Sequence, residues 1–180
     1  MLRASLTRLC STASARASLA LICFALVFGC SPSASAQTSF PVSLRITGKV
    51  ERPLVIGEAD LQVLPRKRLT VTDDKGARVS YDGVPVVELL RRAGAPLGKQ
   101  LRGARMTCYV IVEASDGYHA VFALPEFDPD FTDRVIILAD RRDGHAMPSP
   151  EGPFRLIVAG EKRHARWVRE VTNLDVEQAQ

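Results

Sequence analysis

The sequence predicts a mainly-β fold, a β-sandwich carrying a few short helices. Short apolar or alternating segments follow one another from Val42 to Val176, separated by clusters of turn residues. Asp-Gly stands between apolar runs at Asp116-Gly117 and at Asp143-Gly144, a strong short-range hairpin signal. A clear helical stripe occurs once, after Gly83-Val84-Pro85. Strands therefore outnumber helices and do not alternate with them, which favours packed sheets over a doubly wound α/β fold.

Taken in order, Thr38 to Val50 alternates, with Val42, Leu44 and Ile46 on one face, until Pro53 interrupts it. Gly57 to Pro65 carries a single helical turn capped near Asp60. Arg68 to Thr72 and Arg78 to Tyr81 are strands joined by the turn Asp73-Asp74-Lys75-Gly76. Pro85 suits a first helical position; Val86, Leu89, Leu90 and Ala93 form one stripe, and Gly94 suits the position after the helix. Arg105 to Glu113 and Tyr118 to Leu124 form the central hairpin. Its two-residue type I′ turn would pair Ser115 with Tyr118 and Ala114 with His119. Val135 to Ala139, Phe154 to Val158 and Trp167 to Val176 complete the strands.

The first 36 of the 180 residues read differently. Arg3, Arg8 and Arg16 precede the apolar run Ala17 to Gly29, and Ala34-Ser35-Ala36 follows as an A-x-A cleavage site. This predicts a signal peptide over 1–36, one domain over 37–180, and a periplasmic or secreted product released near Ala36. The run is shorter than the ~20 residues of a spanning helix, so no transmembrane span is expected in the mature chain. Val27-Phe28-Gly29-Cys30 offers an alternative, lipidation at Cys30.

Three of the 24 Lys and Arg, and none of the 20 acids, lie in that leader, so the remainder has a net charge of +1. With few aromatics and no basic block beyond Arg66-Lys67-Arg68, a nucleic-acid footprint is not supported. Cys108 is the single cysteine after Cys30, so no internal disulfide can form in the mature chain. It shares a strand face with Met106, Val110 and Val112, as a small core hydrophobe would. His119 would stand about 20 Å from it along the hairpin at ~3.3 Å per residue, which removes a Cys-His nucleophile pair. His119, His145 and His164 show no zinc-ligand spacing, and no nucleotide-binding, serine-hydrolase or haem-attachment motif is present.

Two groups of residues remain. Tyr118 leaves the hairpin turn beside Asp116, where a rigid tip can hold a side chain against a ligand. Arg155, Lys162, Arg163, His164, Arg166 and Trp167 crowd the C-terminal third. Several cations there can converge on one anion, with Trp167 as a wall for a flat ring; equally, they can be surface cations lying over a tryptophan.

The segments YDGVPVVELLRRAG, SDGYHAVFALPE, VIILADRRDGHAM, GPFRLIVAG and RHARWVREV, in this order, make the chain resemble the molybdopterin-binding oxidoreductase domain of the sulfite oxidase family, from about Val42 to Val176. The resemblance implies a mainly-β sandwich and an oxidoreductase that acts on a small oxyanion or sulfoxide-type substrate with a molybdopterin cofactor. With no haem motif in the chain, a separate electron-transfer partner would take the electrons. It implies that Tyr118 and Arg155 face the substrate, and that Asp116, Arg163, His164, Arg166 and Trp167 lie toward the pterin and its phosphate. Arg166 stands where the family usually has lysine, and Ala159 replaces a common proline. The family's metal-ligating cysteine lies just before the Gly-Val-Pro helix; Leu69 to Pro85 contains no cysteine, and Cys108 follows the helix. That departure leaves a second reading open, a non-catalytic module that binds an anion, a pterin or a partner protein.

Overall fold

The computed structural model describes residues 43–73 and 75–180. The expectations for the leader, its cleavage near Ala36 and Cys30, together with Asp74 and the start of the first strand, lie outside the described residues.

Among the described residues, ten strands form two five-stranded sheets. The first contains β1 (Ser43–Gly48), β2 (Leu54–Gly57), β5 (Cys108–Ala114), β6 (His119–Ala123) and β10 (Val171–Gln178), in the spatial order β2-β1-β10-β5-β6. The second contains β3 (Lys67–Thr72), β4 (Arg78–Pro85), β7 (Ile136–Arg142), β8 (His145–Ala146) and β9 (Arg155–Val158), with β8 and β9 both paired to β7. The pair β1–β10 is parallel, which two segments so far apart in sequence can be without a hairpin. Helix α1 (Glu58–Gln62) follows β2, and α2 (Val86–Ala93) follows β4. This mainly-β architecture is the predicted fold class.

Alternation explains the core. Val110, Val112 and Ala114 of β5, Phe122 of β6, Leu44 and Ile46 of β1, and Leu174 and Val176 of β10 all point inward and are buried. Ile136 to Ala139 are buried without alternation because β7 is an interior strand and α2 packs on β4 and β7. Helix α2 buries Val86, Leu89, Leu90 and Ala93 and ends at Gly94 in the left-handed region, φ 76°, with Ala95 N–H donating to Leu90 O and Gly94 N–H to Arg91 O.

Several elements differ from the sequence reading. The segment Leu54–Gly57 is an unpredicted strand, supplied with partners by β1. Pro85 ends β4 instead of opening the helix, since Gly83, Val84 and Pro85 pair with Ala139, Leu138 and Ile137. Arg105 and Met106 belong to a 3₁₀ turn, Gly103–Thr107, held by the Thr107 hydroxyl on Ala104 O; Met106 is consequently exposed, not on the core face. Trp167 precedes β10. Most consequential is the central hairpin: Glu113, not Ala114, pairs with His119, and Ala114 N–H donates to Tyr118 O. Only Gly117 has positive φ, 84°, so the loop is three residues with a glycine bulge, not a type I′ pair. The Asp116 carboxylate accepts from Tyr118 N–H at 2.9 Å and fixes the bend.

Candidate functional site

The hairpin tip, the Pro-rich connection Pro148 to Pro153 and the 3₁₀ turn His164–Arg166 meet around a cleft of about 400 Å³. Backbone bonds clamp the three together. Ser115 N–H donates to Glu170 O at 3.0 Å, and Glu170 N–H donates to Glu151 O at 3.2 Å. Glu170 sits at φ 49°, a conformation uncommon for a non-glycine residue, and its carboxylate also accepts from the Ser115 hydroxyl at 2.8 Å. Leu156 N–H donates to Val168 O and Val171 N–H to Phe154 O, which fixes Arg155 of β9 beside Trp167.

Arg155 is the centre of the cleft wall, with its side chain 13% exposed. Its Nη1 donates to Glu151 Oε2 at 2.5 Å and to the Tyr81 hydroxyl at 3.4 Å. The guanidinium lies 5.8 Å from the ring centres of both Tyr81 and Trp167. Its Nε is buried and has no hydrogen-bond partner. Glu151 is shared: its other oxygen accepts from Arg142 Nη1 at 2.9 Å, and Arg142 approaches Asp73 at 3.9 Å. Burial pushes the Tyr81 phenol upward, although Arg155 and Arg142 oppose it. Trp167 is buried, donates its indole N–H to Val158 O at 3.2 Å, and stacks on His164 at 3.7 Å. The half-exposed Tyr118 closes the opposite wall, its hydroxyl donating to Ala165 O at 2.7 Å.

Five of the seven residues selected from sequence therefore line one cleft: Asp116, Tyr118, Arg155, His164 and Trp167. Arg163 is exposed and does not line it. Arg166 also lies off the lining and is engaged elsewhere. It ion-pairs with Glu161, donates Nη1 to both Glu126 oxygens at 3.2 and 3.1 Å, and stands 4.4 Å from the Phe122 ring centre. Burial lowers its pKa, but the bonds to Glu161 and Glu126 more than offset that and leave it raised. Sequence reasoning missed Glu151 and Arg169, which also line the cleft. Glu151 stands four residues before Arg155 in a segment without periodicity, and nothing local marks the two as partners.

The donor set does not suit a thiolate-held molybdenum. Among the described residues no cluster of three or more His, Cys, Asp or Glu is arranged to hold a metal ion. Cys108 is buried on the inner face of β5, lines a different cavity with Lys49 and Arg105, and has its thiol pushed up by burial. Asp73 already accepts from Lys75 and Ala77 N–H, the Ala77 bond contributing most to holding its carboxyl below the usual range. Nor is a phosphate favoured at Arg166, whose cation is met by two carboxylates.

The fold is β-rich and of sulfite-oxidase-like architecture. Among solved structures the chain is similar to the sulfane dehydrogenase SoxCD from Paracoccus pantotrophus, with 24% identity and a TM-score of 0.59 over 74% of this chain and 37% of that one. The chain thus spans well under half of that neighbour's length. No family model and no curated protein matches the sequence. Among the described residues no helix is long and apolar enough to cross a membrane.

Proposed function

We propose that the chain is an exported binding module of the sulfite oxidase type, whose Tyr118–Arg155 cleft holds a small oxyanion and which performs no molybdenum chemistry there. The observation that carries this is Arg155. It lines the cleft with a guanidinium mostly out of water, and the Glu151 carboxylate that meets it is shared with Arg142, so its charge is only partly neutralised from within the protein. Arg155 on the wall and the exposed Arg169 at the rim supply the cationic donors for an oxyanion, while Tyr118, its hydroxyl donated to Ala165 O, shapes the opposite wall. Asp116 and Glu151 on the same walls balance the two arginines, so a monoanion is favoured over a phosphate-like dianion.

Calorimetric titration with acetate, hydrogen sulfite and sulfate tests this, with chloride as the control lacking an oxygen fork. Binding of a monovalent oxyanion should weaken by about 1.5–3 kcal/mol in Arg155→Ala, the range of a charge-assisted contact. Equal binding in the variant would remove the cleft from consideration. Export is read from the leader alone, and the mass of the N-terminal peptide of the secreted product would place cleavage near Ala36 or at Cys30.

The likeness in fold, with Tyr118 and Arg155 on one cleft, supports a second reading. In it the module is an oxidoreductase that uses molybdopterin with a ligand other than cysteine, passing electrons to a separate protein partner. Metal and pterin analysis separates the two.

A further inference from the structure

Away from this cleft, β2, α1 and the last turn of α2 enclose a second groove of about 430 Å³. Its floor is apolar: Leu54 and Ile56 come from β2, and Leu64 from the segment after α1. Val63 stands at its lip and is 83% exposed, the most exposed of the large apolar residues described. An isolated exposed valine needs no explanation, but one placed on an open apolar groove extends that groove to the surface.

The mouth is cationic. Arg52 and Arg92 both line it. Arg52 is tied down by its own N–H donating to Ala93 O at 2.9 Å, and its Nη2 reaches Arg92 O at 3.4 Å. Neither arginine has an ion-pair partner among the described residues, whereas the adjacent Arg91 is paired with Glu88 at 2.5 Å. Asp60 on this wall accepts from Gly57 N–H at 2.8 Å through Oδ2 and keeps its charge, so the two arginines leave the lining with a net charge of +1, which suits a monoanion. An apolar slot with two unpaired guanidinium groups at its mouth is complementary to a ligand with the same division: an alkyl or aryl tail ending in a negative head.

We infer that this groove binds an amphipathic monoanion of the fatty-carboxylate class, its tail on Leu54, Ile56 and Leu64 and its head between Arg52 and Arg92. The charge pattern selects this occupant over a purely apolar one, which would leave both cations unanswered. It also selects against a second copy of the groove, which would oppose arginine to arginine.

The test is calorimetry of the purified chain with decanoate, octanoate and hexanoate, and with decanol and decyltrimethylammonium as neutral and cationic controls. Affinity should rise about fourfold per added methylene across the carboxylates, as burial of tail carbon requires. Decanol should bind at least tenfold more weakly than decanoate, and the cation not at all. Arg52→Ala and Arg92→Ala should each reduce decanoate affinity about fivefold, the range of a solvent-exposed ion pair. Val63→Glu, a change at an exposed position that leaves the fold intact, should abolish binding by placing a negative charge at the lip. Arg155→Ala should leave it unchanged. The inference is overturned if decanoate does not saturate, if decanol and the cation bind equally well, or if Val63→Glu has no effect. A dimer in sedimentation velocity that Val63→Glu disperses would overturn it too, by giving the groove to a second copy.

Discussion

Arg155 carries the largest consequences of any single residue. Its side chain is mostly buried, and Glu151 and two aromatic rings are arranged around it. Arg155→Ala should therefore cost stability as well as binding, about 2 kcal/mol in urea unfolding, because Glu151 loses one of its two cations while keeping Arg142. A variant as stable as the parent would show that the guanidinium is a bystander. Tyr81 and Cys108 make a second prediction. Burial raises both pKa values, so each neutral form favours the folded state. For a group raised on folding, the stabilisation is complete below the unfolded pKa and is lost as pH climbs through the folded one. Stability should fall above the ordinary thiol and phenol ranges, roughly pH 9 to 11, and fall less steeply in Tyr81→Phe/Cys108→Ala. Identical slopes would contradict this account of their burial. Cys108 was legible as a core residue because strand periodicity alone puts it on the buried face; Glu151 was not, because its partner is chosen by a loop.

At the scale of elements, the same dipeptide gave two different turns. Asp143 and Gly144 both adopt positive φ, 50° and 83°, and Arg142 pairs directly with His145, so the two-residue hairpin signal is realised there. At Asp116-Gly117 only the glycine does so, and the register moves by one residue. The difference lies outside the dipeptide: Ser115 is held by Glu170 through backbone and side chain, a contact from 55 residues away that no local pattern announces. That slip places Glu113 against His119 and leaves Tyr118 outside β6, facing the cleft. Gly117→Ala should cost about 1 kcal/mol through its positive φ alone, since open space surrounds it. Gly83→Ala is a different case: a Cβ there would lie 2.1 Å from Leu138 O, at the bulge where β4 meets β7. It should destabilise by more than about 3 kcal/mol or prevent folding. Thermal melts of the pair rank them; equal losses would mean that β4 and β7 are not in the contact described.

For the molecule as a whole, the mainly-β class and most strands follow from alternation, because a sheet with one buried face must repeat every two residues. What alternation cannot supply is the pairing order: β1 lies beside β10 and β9 beside β7, and these pairings bring Arg155, Trp167 and Tyr118 to one cleft. The fate of Arg166 was equally illegible, since Glu126 approaches it from the 3₁₀ turn Leu124–Phe127 and Glu161 from the loop after β9. Those two carboxylates and the buried Cys108 are the observations, among the described residues, behind the proposal of an oxyanion-binding module of sulfite-oxidase-like fold without the metal. The most direct test is elemental analysis for molybdenum, with pterin fluorescence, on the protein purified from its own host. Neither metal nor pterin is expected in stoichiometric amount, with oxyanion binding retained; one molybdenum and one pterin per chain would overturn the proposal and make the chain an enzyme with an unfamiliar ligand.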